Sequence, residues 1–274
     1  MPGRRRLGAA GLTVAGHWGK LPAAARSRPM PDRFTPLAIT LDLDDTLWPV
    51  GPTLVAAEHA LADWLAAHAP RTLAGYDAAA RAALRAGLLA DHPERAHDMS
   101  FLRREGLRRA MHAAGDDPAR ADAAFEVFLE ARQRVALFDD VLPVLERWSR
   151  RYRLVAVTNG NADVARVGLG GLFAAAVNAH EVGCAKPDTR IYHEACRRAG
   201  VAPSQVLHVG DDPQLDVLGA RRAGLHAAWL RRPALASHHA PDCCGPEVVA
   251  PFEDLHAIDA ALREARPFGL PPDR

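Results

Sequence analysis

The chain has 274 residues, enough for one large domain or for a domain carrying an insertion. Charged residues make up 24% and the formal net charge is +1, so neither a nucleic-acid nor a membrane-surface footprint is expected. Four cysteines (Cys184, Cys196, Cys243 and Cys244) are too few and too scattered for a disulfide framework, and a reduced, cytoplasmic setting is expected.

In chain order, residues 1–33 come first and read as a disordered N-terminal extension. They carry RRRLGAAGLTVAG, a basic patch before a Gly/Ala-rich stretch with little Leu, Ile or Phe. An export signal needs a stronger apolar centre, whereas a start at Met30 leads directly into the first strand. No apolar run reaches the roughly 20 residues that span a bilayer.

Leu37–Leu43 alternates and is β-rich, which predicts a buried strand. Thr53–His68 reads as a helix, with Leu54, Leu61, Trp64 and Leu65 at helical spacing and Thr53 as its N-cap. Tyr76–Leu89, Met99–Ala114 and Pro118–Phe138 read as further helices, broken at Gly75, Pro93 and Gly115-Asp116-Asp117-Pro118. Beyond them helices and strands alternate. Val141–Arg150, Asp163–Gly168, Thr189–Ala199 and Asp216–Ala223 are the helices; Arg153–Val157, Ala175–Asn178, Val206–Val209 and Ala227–Leu230 are the strands.

That alternation implies an α/β fold, a doubly wound and mostly parallel sheet in a Rossmann-like core. The all-helical block is too long for a loop and reads as an inserted cap domain. The expected division is a core of residues 34–50 and 142–265, a helical cap of 51–141 and a tail of 266–274.

Four polar clusters each follow a predicted strand: Asp42-Leu43-Asp44-Asp45-Thr46, Thr158-Asn159-Gly160, Lys186-Pro187, and Gly210-Asp211-Asp212 with Asp216 beyond it. In a parallel sheet these tips share one edge, where ligands gather. Crowded carboxylates are unfavourable unless a cation sits among them. Asp42, Asp211 and a further acid, Asp212 or Asp216, make an oxygen-only cluster of the kind Mg²⁺ prefers. Lys186 adds a second positive charge, and Thr158 Oγ with the backbone N–H groups of Asn159 and Gly160 can hydrogen-bond phosphoryl oxygens. Positive charge around a transferring phosphoryl group, with an in-line carboxylate, is what phosphoryl transfer requires.

In that order the four motifs resemble those of the haloacid dehalogenase-type hydrolase superfamily. DLDDT resembles its nucleophile motif, TNG its phosphate-binding threonine motif, KP its lysine motif and GDDPQLD its acidic metal motif. The resemblance implies that Asp42 attacks phosphorus and forms an aspartyl-phosphate. It implies that Asp44 protonates the leaving oxygen and later activates water. It also implies that Mg²⁺ is held by Asp42, the Asp44 carbonyl and Asp211; of Asp212 and Asp216, Asp216 is the better candidate for an acid in the outer shell. An ordinary aspartate has a pKa of about 3.9, so the acid role asks for an environment that raises it.

Within the superfamily, dehalogenating members lack an acid two positions after the nucleophile. Phosphonate-cleaving members use a cap lysine, and residues 51–141 contain none. Mutases usually carry Gly-Val where this chain has Asp45-Thr46. The expectation is therefore a phosphomonoester hydrolase, a monomer or homodimer, acting on a small phosphorylated metabolite. TNGNADVARVGLGGLF, CAKP and VLHVGDDPQLDVLGARRAG are further similar to bacterial flavin mononucleotide phosphatases of riboflavin metabolism, which also act on the phosphorylated ribityl-aminouracil precursor. The alternatives are a broad-specificity sugar-phosphate or nucleotide phosphatase, and a non-catalytic phosphate-binding module, which would have no need of Asp44.

Other residues have plainer readings. Asp45 reads as a solvated or helix-start acid, and Asp212 as either a helix N-terminal acid or a metal ligand. Ser237-His238-His239 with Cys243-Cys244 fits no common zinc spacing and reads as an exposed loop. Cys184 reads as a small space-filling residue, and Trp64, Phe101, Phe125 and Phe128 as core of the helical block. His92, His97, Arg103 and Arg104 either face the cleft between block and sheet or are solvated.

Overall fold

The computed structural model describes residues 34–235 and 251–264. The expected extension, the Ser237–Cys244 stretch and the tail lie outside them. The central strand, β1 (Ala38–Leu41), pairs in parallel with β2 (Arg153–Thr158) on one side and β4 (Val206–Gly210) on the other. β3 (Ala175–Asn178) and β5 (His226–Trp229) form the edges, giving the order β3-β2-β1-β4-β5. Every residue of β1 is buried, which is why AITL carries no charge: a parallel strand is covered on both faces. Leu41 lies level with Ala156 and with Val209. That register brings the residues just past the three strands to one edge.

After β1 comes a block of five helices: α1 (Val50–His68), α2 (Pro70–Gly75), α3 (Ala78–Asp91), α4 (Met99–Ala114) and α5 (Ala121–Arg132). α1, α4 and α5 share an apolar core of their own, in which Leu61 and Leu65 meet Leu107, Met111, Phe125 and Phe128. Trp64 packs against that core, whereas Phe101 is half-buried beneath the Arg95 guanidinium, 4.2 Å from its ring centre. The chain then returns through α6 (Val141–Ser149), α7 (Ala179–Val182), α8 (Thr189–Ala199), α9 (Gly219–Arg222) and α10 (Leu255–Glu264). Val144, Leu145 and Trp148 of α6 join Leu255, Ile258 and Leu262 of α10 on one side of the sheet. Ile191, Tyr192 and Ala195 of α8 form a second cluster with Val155, Val157 and Val177. Cys184 is buried in that second cluster. Among the described residues no helix is long and apolar enough to cross a membrane.

Several elements differ from expectation. α1 begins at Val50, and Thr53 lies inside it, donating from its hydroxyl to the Pro49 carbonyl at 3.3 Å. Asp45 supplies the start instead, accepting from the Val50 N–H at 2.8 Å. α5 ends at Arg132, and residues 134–138 run without helical structure back toward the sheet. Asp163–Gly168 forms turns, with Asp163 Oδ1 accepting from Ala165 N at 2.8 Å and Gly168 in the left-handed region at φ 87°. The helix predicted from Asp216 begins at Pro213 as a wide π-type turn and narrows to α9. α2, α7 and α10 were not anticipated.

α10 is held by one buried carboxylate. Asp259 Oδ1 accepts from Trp148 Nε1 at 2.9 Å, and Oδ2 from Arg147 Nη2 at 3.0 Å and Arg263 Nη2 at 2.7 Å. Burial opposes the charge, but the indole N–H and Arg147 outweigh it and hold this carboxyl below its ordinary 3.8. Asp259→Ala leaves the indole N–H unpaired and is expected to lower the unfolding free energy by about 1–3 kcal/mol in urea titrations at neutral pH. A depressed folded pKa contributes above the unfolded value and fades as pH falls through the folded one. The gap between wild type and variant should therefore narrow below 3.8.

Candidate active site

Past β1 the chain curls tightly. Asp45 N donates to Trp48 O at 2.8 Å, Leu47 N to Leu43 O at 2.8 Å, and Asp45 takes a left-handed φ of 58° that aspartate tolerates better than most residues. The curl keeps Leu43, Leu47 and Trp48 inside and turns Asp42 and Asp44 toward the sheet edge. Asp42 is tied to the sheet by its own N–H, which donates to Val209 O at 2.9 Å. Thr46 is fully buried, and its hydroxyl donates to Asp42 Oδ2 at 3.3 Å and Asp211 Oδ1 at 3.1 Å. Arg232 fixes this loop from behind, donating to Thr46 O while pairing with Asp140 at 2.7 Å.

Lys186 comes from the loop after α7 and is 5% exposed. Its ammonium bonds Asp42 Oδ1 and lies 2.6 Å from Asp216 Oδ1. Burial alone would neutralise it, but the two carboxylates outweigh burial and push its pKa above the usual lysine range. Asn159 fastens the lysine's backbone, accepting from Lys186 N at 2.7 Å and donating to Lys186 O at 3.1 Å. Thr158, at the tip of β2, accepts from Gly160 N at 2.9 Å. The Gly160 N–H, read from sequence as a donor to phosphate, is thus used within its own turn, and the Thr158 O–H remains a donor.

Asp216 is 1% exposed, and both its oxygens are engaged. Oδ1 meets Lys186 and His208 Nε2 at 3.2 Å; Oδ2 accepts from Asp212 N at 3.0 Å. A Cβ on Gly210 would collide with this carboxylate, so only glycine fits there. Asp212 caps the following turn, accepting from Gln214 N at 2.7 Å and Leu215 N at 2.9 Å.

Asp42, Asp211 and Asp216 bring one oxygen each within 4.8 Å of one another. Lys186 offsets only one of the three charges. Burial, then the neighbouring Asp42 and Asp216, push the Asp211 carboxyl up to about 9, and burial also raises Asp42. An all-oxygen set with surplus negative charge matches the donor chemistry of a hard divalent cation such as Mg²⁺. Asp42 and Asp211 could hold it directly. Asp216, already committed to Lys186 and His208, suits a supporting position.

Asp44 stands apart from this cluster. It accepts from Trp48 Nε1 at 2.8 Å, and Arg132 Nη2 lies 2.5 Å from each of its oxygens. A guanidinium and an indole N–H thus face it. Arg132, Trp48, Thr46 and His208 were all missed in the sequence. Arg132 lies four residues after Phe128 and seven after Phe125, on the apolar stripe of α5, where a charged residue should have stood out. His208 interrupts the apolar run of β4 in the same way and bonds Thr40 Oγ1 through Nδ1 at 2.8 Å.

A family model described as haloacid dehalogenase-like hydrolase matches residues 36–224. The chain belongs to that family. The match includes every strand tip described above and the whole helical block between β1 and β2. Among haloacid dehalogenase-like relatives, a 5-amino-6-(5-phospho-D-ribitylamino)uracil phosphatase, YigB of Escherichia coli K12, is 33% identical over 71% of this chain and 83% of its own length. A phosphoserine phosphatase of Thermus thermophilus is 38% identical over 48% of this chain and 55% of its own. A solved structure named 2-haloacid dehalogenase, from Pseudomonas syringae pv. tomato DC3000, is 39% identical and superposes with a TM-score of 0.73, covering 84% of this chain and 98% of that one.

Proposed function

We propose that the chain is a Mg²⁺-dependent phosphomonoester hydrolase working through an aspartyl-phosphate on Asp42. The observation that carries this reading is Asp44, a second carboxylate at the same edge and beside Thr158 and Gly160, yet outside the crowded acidic cluster. Phosphoryl transfer needs a proton donor for the leaving oxygen and a base for water; a dehalogenase expels halide and needs no such donor.

The contacts support the following assignment of roles. An Asp42 oxygen attacks phosphorus, and the bond to the leaving oxygen breaks. Asp44 gives that oxygen a proton, leaving an alcohol and a phosphorylated Asp42. Asp44 then takes a proton from water, which attacks phosphorus and returns Asp42 and inorganic phosphate. Lys186 and the Thr158 hydroxyl balance charge on the phosphoryl oxygens throughout. When bound, the divalent cation neutralises the phosphate and the crowded acids, held by Asp42, Asp211 and the Asp44 carbonyl.

We read residues 51–141 as a cap over residues 34–50 and 142–265. A cavity of about 410 Å³ between them is lined by Ser100, Phe101 and Arg104 on one side and Asn161, Asn178 and His180 on the other. Asn161 Nδ2 meets Ser100 Oγ across it at 3.4 Å. This cavity is suited to the leaving group, and closure over it would exclude water. Arg104 thus faces the cleft, whereas Arg103 turns inward to Glu58 at 2.7 Å and to the Phe128 ring.

The substrate we favour is flavin mononucleotide, the phosphorylated ribityl-aminouracil precursor, or both, supported by the motif resemblance and by the YigB similarity. A panel of flavin mononucleotide, the precursor, sugar phosphates, nucleotides and phosphoserine tests it. The flavin-type substrates should show the highest kcat/KM; a clear preference for sugar phosphates or nucleotides would replace this assignment with the broad-specificity one. The solved dehalogenase motivates a halide-release assay with 2-chloropropionate, for which no turnover is expected. Metal removal supplies a separate check. In EDTA, hydrolysis of p-nitrophenyl phosphate should vanish. Adding Mg²⁺ at 100 times its Kd should restore it and stabilise the fold by about 2.7 kcal/mol, read as a rise in Tm.

A further inference from the structure

Arg132 is the last residue of α5, 2% exposed, and it reaches from the helical block to the first acidic motif. Only one of its terminal nitrogens is used there: Nη2 contacts both oxygens of Asp44. Nη1 is equally buried and has no hydrogen-bond partner among the described residues. A buried charged donor left unpaired is unfavourable, and its presence points to a partner that arrives with a ligand.

The surroundings indicate which ligand. The point beside Gly160 where a side chain would begin is 3.0 Å from Asp44 Oδ2, 3.4 Å from Thr158 Oγ1 and 3.8 Å from Arg132 Nη2. The guanidinium therefore borders the same small space as the Thr158 hydroxyl. Lys186 is committed to Asp42 and Asp216, which leaves Arg132 as the cation nearest Asp44. The guanidinium thus stands where a phosphoryl group approaching Asp44 would bring its negative charge. The planar fork of arginine can hold a carboxylate through one nitrogen and present the other to an oxyanion, which an ammonium cannot do.

We propose that Arg132 is a further phosphate-binding residue: in the loaded site Nη1 donates to a phosphoryl oxygen while Nη2 keeps Asp44 beside the leaving oxygen. Its neighbour supports the arrangement. Gln133 donates to Asn161 O at 3.2 Å and accepts from Asp163 N at 2.8 Å, so the end of α5 is fixed to the loop after β2. Binding of phosphate is thereby tied to correct seating of the helical block. The proposal rests on the phosphatase reading given above.

The test is calorimetric titration of inorganic phosphate, with Mg²⁺ present, into wild type, Arg132→Gln, Arg132→Lys and Asp44→Asn, alongside p-nitrophenyl phosphate kinetics. Arg132→Gln should weaken phosphate binding at least tenfold, and Arg132→Lys should recover only part of it. Asp44→Asn, which keeps the arginine and removes a carboxylate that shares its positive charge, should bind phosphate more tightly than wild type. A merely structural role would lower Tm while leaving phosphate affinity of the folded protein unchanged, and that result would overturn the proposal. Should the Arg132 variants fail to fold, an unchanged or weakened affinity in Asp44→Asn would overturn it equally. Wild type inactive on every phosphate ester would instead defeat the phosphatase reading itself.

Discussion

Asp42→Asn is expected to reduce turnover of p-nitrophenyl phosphate by on the order of 10⁴–10⁶-fold while the chain stays folded. The substitution is nearly isosteric and spares the contacts that place the residue. Its N–H still donates to Val209 O, and Lys186 keeps Asp216 as a partner. It also removes one of three crowded buried acids, so metal-free Tm should change little. What it removes is the oxygen proposed as the nucleophile. Acid quenching after brief exposure to substrate should trap a phosphoenzyme in wild type and none in the variant. Full activity in the variant would exclude Asp42 as nucleophile and with it the mechanism above.

The site was legible where it depends on strand tips and obscure where it depends on helix packing. Parallel strands in level register bring Asp42, Thr158 and Asp211 to one edge, and that follows from β1 pairing with β2 and β4 alone. The same logic yields the doubly wound core, since alternating strands and helices leave few parallel arrangements. Arg132 is different. The helical block holds many arginines, and this one is distinguished only by α5 burying the stripe of Phe125 and Phe128 against α1 and α4. Asp216 was read as a metal acid because its number placed it near Asp211; its pairing with Lys186 and His208 depends on the wide turn at Pro213–Leu218. Such a turn has no clear periodicity to read. α10 escaped notice because it lies beyond the alternating segment, although Leu255, Ile258 and Leu262, which dock it, stand at helical spacing; the Asp259 contacts have no local signature.

Lys186→Met is expected to damage both stability and activity, and the two losses can be separated. The ammonium lies between Asp42 and Asp216, with side-chain exposures of 3%, 10% and 2%. Methionine fills much of the volume but leaves buried carboxylates uncompensated, which typically destabilises by about 3–5 kcal/mol. That is a large share of the roughly 5–15 kcal/mol that holds a domain folded. The pH dependence identifies the cause. Burial opposes the Asp216 charge, but Lys186 first and then His208 hold its carboxyl below its ordinary 3.8. A depressed carboxyl contributes above its unfolded pKa and loses that contribution as pH falls through its folded one. The difference between wild type and variant should thus be widest near neutrality and shrink below 3.8 in denaturation curves. A simple cavity effect would be flat with pH. Activity at saturating Mg²⁺, measured at a temperature where the variant is folded, should still fall by about 10²–10³-fold, because the charge facing the phosphoryl group is gone. Arg132 is untouched in this variant, so residual phosphate binding is expected even where turnover is lost. A variant as stable as wild type at neutral pH would mean that Asp42 and Asp216 do not rely on the ammonium, and Lys186 would lose its proposed place in the site.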